Sequence, residues 1–331
     1  ASSGLALLGG WSIAVAMWMA WFIAHLPAFD LSPRVTGPFL VSIHALGGIF
    51  VGLAARRRGG SLGRAALVGA GAGLVTGAVN LLLVGSKVVT PSPNDVTPQP
   101  GAGGLLPAAP VMLAGYMLTA AVLTALGAGV GALLRRAGTS EIAGTPVPRT
   151  EGGASADLPA FAFVAAVCFL PLLLIGGLVT SAQSGLAVPD WPGTFGANMF
   201  LYPLALMADK HVFLEHTHRL FGAFVGLTTM VLMAWTLIDR RPGRHGTFVK
   251  TWAVAIFVLV CIQGYIGGRR VTDQSQWLAA LHGVSAQAIF AMAVALAIYL
   301  SGWYRRASEA GASPDAHDRR PETKRPPAAP G

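Results

Sequence analysis

Charge is what this sequence has least of. Of its 331 residues only 11% are Asp, Glu, Lys or Arg and 53% are hydrophobic, where a soluble globular chain is about 25% charged. That composition excludes an ordinary soluble domain. It also speaks against a nucleic-acid surface, because the basic residues are scattered rather than gathered in a patch. Cysteine is nearly missing. The two present, Cys168 and Cys261, fall near the middles of separate apolar runs. No loop therefore offers a pair for an extracytoplasmic disulfide, and both read as small buried side chains. The chain opens ASSG, without methionine, and no basic n-region precedes its first apolar run, so no cleavable signal is expected.

What is present instead is apolar length. A helix that crosses a bilayer needs roughly 20 mostly apolar residues. Eight stretches qualify, at about 5–26, 37–55, 62–85, 108–134, 158–179, 211–237, 250–268 and 278–303. The expected fold is an all-α integral membrane protein, its eight transmembrane helices arranged as two four-helix bundles. Arg56, Arg57, Arg58 and Arg64 lie between the second and third spans, and Arg135 and Arg136 follow the fourth. Arg240, Arg241 and Arg244 follow the sixth, and Arg305 and Arg306 the eighth. Eight spans put all four groups on one side, which the positive-inside rule makes cytoplasmic, together with both termini. The expected location is the inner (plasma) membrane, multi-pass, and the net charge of +9 is a topology signal. A polar linker at 138–157 separates the halves 1–137 and 158–304, and the Pro-rich, charged stretch 305–331 reads as a disordered cytoplasmic tail.

The halves share a pattern. HALGGIFVGL (44–53) and HRLFGAFVGL (218–227) both fit H-x-L-x-G-x-F-V-G-L, with glycines four and eight residues after the histidine on one helix face. An old four-helix repeat would explain the match. So would two ordinary GxxxG packing faces. Where the second half has Glu215 and Arg219, the first has Val41 and Ala45, so any chemistry belongs to the second half.

Ionisable groups inside a span are costly and mark sites. His218 lies about seven residues below the outer end of the sixth span and His282 about five below that of the eighth, so both are roughly 7–11 Å deep. Two histidines at matched depth on different helices of a bundle can supply both axial ligands of a haem. Gly222, one turn below His218, and Gly283, beside His282, remove side chains that would block a flat macrocycle. His211, Glu215 and His218 form one stripe, while His216 points elsewhere and reads as a structural or interface residue. Glu215 has two readings: an acid/base beside a bound substrate, or a carboxylate paired with Arg219 for packing. Arg269 and Arg270 lie on the outer side, against the charge rule. Haem propionates would explain them, and so would simple exposed loop charges. The segment 181–210 cannot continue a helix past Pro189 and Pro192. It is expected outside the cytoplasm, over the haem-proximal end, with Trp191 as an interfacial lid.

Four segments in order, GGLVTSAQSGLAVPDWPGTFGANMF (176–200), EHTHRLFGAFVGL (215–227), IQGYIGGRRV (262–271) and LHGVSAQAIFA (281–291), together resemble the haem A synthase family. The likeness covers about 158–304 and includes the E-x-x-H-R signature at Glu215, His218 and Arg219. It implies conversion of haem O to haem A by oxidation of the C8 methyl group, through two hydroxylations and loss of water, for aa3-type cytochrome oxidases. It also implies His218 and His282 as haem ligands, with haem b iron the expected cofactor, and Glu215 as the catalytic carboxylate; Arg219, Arg269 and Arg270 are candidate cofactor contacts. The partners it implies are haem, the membrane, an electron donor, haem O synthase and cytochrome oxidase subunits, with no nucleic acid. Family members carry the glutamate-bearing half first and a second histidine pair in the other half, and many have cysteines in the outer loop. Here that half comes last, the first half keeps at most His44, and 181–210 has no cysteine; a homo-oligomer would restore two haem sites. Two other functions fit the same residues: a bis-histidine cytochrome that passes electrons, and a haem-binding assembly factor for an oxidase. Glu215 favours the enzyme, since electron transfer alone needs no carboxylate beside a ligand.

Overall fold

An apolar run in a bilayer has to bond its own backbone, and a helix does so without help from neighbours. The structure, a computed structural model, describes residues 2–26, 28–29, 31–89, 104–138, 157–203, 207, 209–239, 246–301 and 304. Its helices are α1 (Ser2–Ala24), α2 (Pro33–Arg57), α3 (Leu62–Val84), α4 (Ala109–Gly138), α5 (Asp157–Ser181), α6 (Lys210–Ile238), α7 (Thr247–Thr272) and α8 (Gln276–Leu300). All eight are long and apolar enough to cross a membrane, and no strand occurs among the described residues. The chain is an all-α integral membrane protein. Arg240, Arg241, Arg244, Arg305 and Arg306, the linker between 139 and 156, and the tail from 305 lie outside the described residues.

Side chains at the helix starts take up the free backbone N–H groups. Ser61 Oγ accepts from the Arg64 N–H (3.2 Å), and Ser275 Oγ from that of Leu278 (3.3 Å). Asp209 caps α6 by accepting from His211 and Val212 at 2.8 and 3.1 Å. The Val212 and His211 N–H groups hold its carboxyl below the usual carboxylate range. α2 begins four residues before its apolar run, because Pro33 suits a first turn, where its missing N–H costs nothing.

The two halves pack differently. In the second, α5, α6, α7 and α8 form a ring in which each helix packs on its two neighbours, and α6 stands across from α8. In the first, α4 lies tightly against both α2 and α3. Glycine permits that approach. A Cβ on Gly48 would come within 2.6 Å of the Thr124 carbonyl oxygen, and one on Gly52, Gly127 or Gly131 would collide with backbone across the seam.

Aromatic side chains of α1 join the halves. Trp18 stacks on Phe224 with ring centroids 4.6 Å apart and meets Phe221 edge-on at 5.2 Å. Trp11 Nε1 donates to Thr228 Oγ1 at 2.9 Å, and Trp18 Nε1 to Asn80 Oδ1 at 3.0 Å, so the buried indoles lose no hydrogen bond. At the other end of the seam Arg58 pairs with the fully buried Asp157 at 2.6 Å. This contact brings the start of α5 to the end of the molecule where α2 finishes.

Candidate functional site

His218 on α6 and His282 on α8 face one another across the ring of helices, with ring centroids 6.3 Å apart and planes at 84°. Glycine makes the room for both. A Cβ on Gly176 of α5 would sit 3.0 Å from His218 Cε1, and one on Gly267 of α7 would sit 2.7 Å from His282 Cε1. Gly222, Gly226, Gly264 and Gly283 have nothing within 4 Å of a Cβ position. An imidazole–metal bond of about 2.0 Å, plus about 1.1 Å from nitrogen to ring centre, puts two imidazoles on one ion about 6.2 Å apart. The observed separation fits. Among the described residues no three His, Cys, Asp or Glu side chains converge on a metal position. Two protein ligands suit an ion that brings its other donors with it, as haem iron does.

The two rings are held unequally. The His282 Nδ1 lies 3.2 Å from the Gln263 carbonyl oxygen. His218 Nδ1 is buried without a partner at hydrogen-bond geometry, the Leu172 carbonyl of α5 acting on the ring from further off.

One turn above His218, Glu215 is 1% exposed. Its Oε1 accepts from Arg219 Nη2 at 2.7 Å and its Oε2 from the Val188 N–H at 2.9 Å. Arg219 spends its other Nη hydrogens on the loop before α6, at the carbonyls of Asp190 (2.6 Å), Gly193 (2.8 Å) and Val188 (2.9 Å). The loop secures itself further, since Asp190 accepts from the N–H groups of Phe195 and Gly196, each at 2.7 Å. The structure therefore aims Arg219 at the loop rather than at the space between the histidines. Fixed in this way, the loop lays Trp191 on Gly268, where any side chain would collide with the indole, and against Tyr265. Trp191 is 38% exposed, which suits a lid at an interface.

His211 is drawn to the outer end of its stripe by Ser184 Oγ (2.8 Å). His216, buried, meets Thr194 Oγ1 at 3.0 Å and packs on Tyr202, which is the structural role its direction implied. Burial, and then the charge of Asp190, push the Tyr202 phenol up to about 12.

The paired arginines part company. Arg269 is exposed and bonded to Asp273 at 2.8 Å. Arg270 is half-buried, with Nη1 3.0 Å from a Cβ position on Gly185, and its charge acts on Glu215, Arg219 and both histidines. Arg270 lies toward the histidine pair and Arg269 away from it. In the first half, His44 is buried and reaches Thr124 Oγ1 at 3.3 Å, in the seam that Gly48 closes. Cys168 is buried, Cys261 is exposed, and neither is in a disulfide.

Sequence reasoning missed Gln263, Ser285, Gly176 and Gly267. A signal was available for the first two, as polar side chains inside spans. The glycines give none until the helix facing each is known.

Comparison with known proteins follows the same half. The family model COX15-CtaA, cytochrome oxidase assembly protein, matches residues 159–323. A heme A synthase of Lysinibacillus sphaericus (strain C3-41) is 34% identical over 128 residues, 38% of this chain and 39% of that protein. One of Chelativorans sp. (strain BNC1) is 31% identical over 116 residues, 32% of this chain and 30% of that protein. One of Pelagibacter ubique (strain HTCC1062) is 28% identical over 125 residues, 31% and 36% of the two chains. The match spans less than half the length of each of these relatives. No solved structure matches.

Proposed function

From the match of residues 159–323 to the cytochrome oxidase assembly protein family and the likeness to heme A synthases, we propose that this chain is an oxidoreductase of the plasma membrane that converts haem O to haem A. The substrate's C8 methyl is hydroxylated twice, each step adding one oxygen atom and removing two electrons. The resulting geminal diol then loses water to leave the formyl group. Oxidant and electron acceptor come from outside the chain, and the product serves aa3-type oxidases.

The observation that carries this reading is the His218–His282 pair, 6.3 Å apart with a glycine behind each ring. The pair would hold haem through its iron, and the iron supplies the redox chemistry. Haem b is the resident form we expect. Arg270, whose guanidinium has no hydrogen bond among the described residues, meets a propionate at the outer face. Arg269 contributes only to the field at the rim, and Arg219 holds the lid. Glu215 serves as acid and base: Oε1 is fixed by Arg219, while Oε2 accepts one backbone N–H and keeps a lone pair for a proton. Trp191 and the loop beneath it keep water from the pair. Residues 1–137 act as a scaffold for the second half.

A second reading has an observation in its favour. Both Glu215 oxygens are already bonded, as a purely structural carboxylate would be, and the chain would then be a bis-histidine cytochrome. Extracting and chromatographing the haems of cells that make this chain beside a source of haem O separates the two. Haem A that disappears in His218→Ala and His282→Ala supports the enzyme. Haem b retained with no haem A formed overturns it.

A further inference from the structure

A primary amide is an expensive group to place inside a span, and it has to find partners there. Gln263 lies on α7 between Ile262 and Gly264, and all its polar contacts across the helix seam fall on one turn of α8. Its Nε2 donates to the backbone carbonyl of His282 at 2.5 Å, and its Oε1 accepts from Ser285 Oγ at 2.7 Å. Its own carbonyl oxygen is the atom 3.2 Å from His282 Nδ1. The direction of the chain is settled by chemistry. A backbone carbonyl can only accept, so the amide nitrogen must face His282 and the amide oxygen must face Ser285.

The same argument fixes the imidazole. The Gln263 carbonyl can only accept, so the contact requires a proton on His282 Nδ1. The lone pair then sits on Nε2, the form that binds a metal. One turn further along α7, Gly267 clears the space the ring occupies. On His218 the Leu172 carbonyl acts on the ring, but the buried Nδ1 has no partner at hydrogen-bond geometry, and no side chain braces that carbonyl among the described residues.

We infer that Gln263 is the positioning residue of His282: its side chain clamps the α8 backbone so that its own carbonyl can select the Nδ1–H tautomer. The inference rests on His282 as an iron ligand. The two ligands are therefore held unequally: His282 Nδ1 has a carbonyl at hydrogen-bond distance and His218 Nδ1 does not.

The test uses the full chain in detergent, with Gln263→Leu, Gln263→Glu and His282→Ala. Ring 15N shifts of His282 in the haem-free protein report the tautomer directly. Wild type should show Nδ1–H alone, and Gln263→Leu a mixture of both forms. Titration with haem b should then show a loss of affinity of about 10- to 100-fold, the usual cost of removing a group that orients a ligand. The remaining complex should show a raised high-spin fraction. Gln263→Glu, measured where its carboxyl is ionised, keeps an acceptor for Ser285 but has no donor for the His282 carbonyl, so it should resemble Gln263→Leu. If it instead binds haem as wild type does, the clamp is not what matters and the inference fails. Wild-type tautomer and affinity in Gln263→Leu, beside loss of haem in His282→Ala, would sink the positioning role and leave the ligand assignment standing. An unchanged spectrum in His282→Ala would remove the ligand assignment itself. Should the Gln263 variants not fold, Ser285→Ala removes only one link and should lower affinity by a few fold, and no loss there overturns the inference.

Discussion

α2 and α6 carry the same ten-residue pattern and use it in opposite ways. In α2 the glycines after His44 are pressed on the backbone of α4, and the histidine is left with Thr124. In α6 the glycines after His218 have nothing within 4 Å, and the histidine faces another histidine. The pattern fixes only which residues share a face. What lies opposite decides the rest. α4 offers Gly127, Gly131, Thr124 and Ala128, small enough to close the seam, whereas α8 offers His282 and Gly283. A repeat and a packing motif were both consistent with the pattern, and the first half uses its copy for packing.

The sharpest way to break this comparison is to remove the histidines. His218→Ala or His282→Ala should cost nearly all bound haem in the purified protein, and His44→Ala almost none, as read by haem-to-protein ratio. Comparable losses in all three would make the first half a second site.

Next in size is the carboxylate that α2 lacks. Glu215→Gln should lower haem A formed per folded, haem-loaded protein by about 100-fold or more, the usual contribution of a general acid or base. The structure adds a condition. Both partners of Glu215 are donors, from Arg219 and Val188, so an amide nitrogen must meet one of them without a bond. The lid over 188–193 should therefore loosen as well, visible as faster proteolysis there. A wild-type ratio would show that Glu215 serves the lid alone.

The arginines test the outer face. Arg270→Gln should weaken haem binding by about tenfold, the scale of one charge-assisted bond. Arg269→Gln, which loses only an exposed pair with Asp273, should stay within about twofold. Equal effects would place both at the rim.

The smallest effect separates the halves most directly. Gly52→Ala forces a methyl against the backbone of Ala128 and should cost about 1–3 kcal/mol of stability, lowering Tm without changing haem per folded chain. Gly222→Ala should leave Tm alone, and Gly222→Leu, reaching further into the open space, should lower haem occupancy by a few fold. If the two glycines exchanged these effects, the contrast drawn between the halves would be wrong.

The eight helices could be read from the sequence because unbroken apolar length is local information, and in a bilayer it permits little except a helix. His218 and His282 could be paired from the sequence for a similar reason: rise per residue converts position in a span to depth. Direction across the bundle is not local. Nothing in the string EHTHR shows that Arg219 turns toward the loop carbonyls while Glu215 accepts from the Val188 N–H, or that of two adjacent arginines only Arg270 turns inward. Gln263 was visible as a polar residue in a span, but its meaning depends on the turn of α8 beside it.

The Arg58–Asp157 contact carries a consequence in time rather than in space. A carboxylate buried without a partner costs several kcal/mol, and Asp157 is 0% exposed at the first residue of α5. Synthesis runs from the N-terminus, so the arginine has left the ribosome before the carboxylate that needs it. The second half is then built against a wall already standing, and the order in which the halves are written is also the order in which this charge can be safely buried.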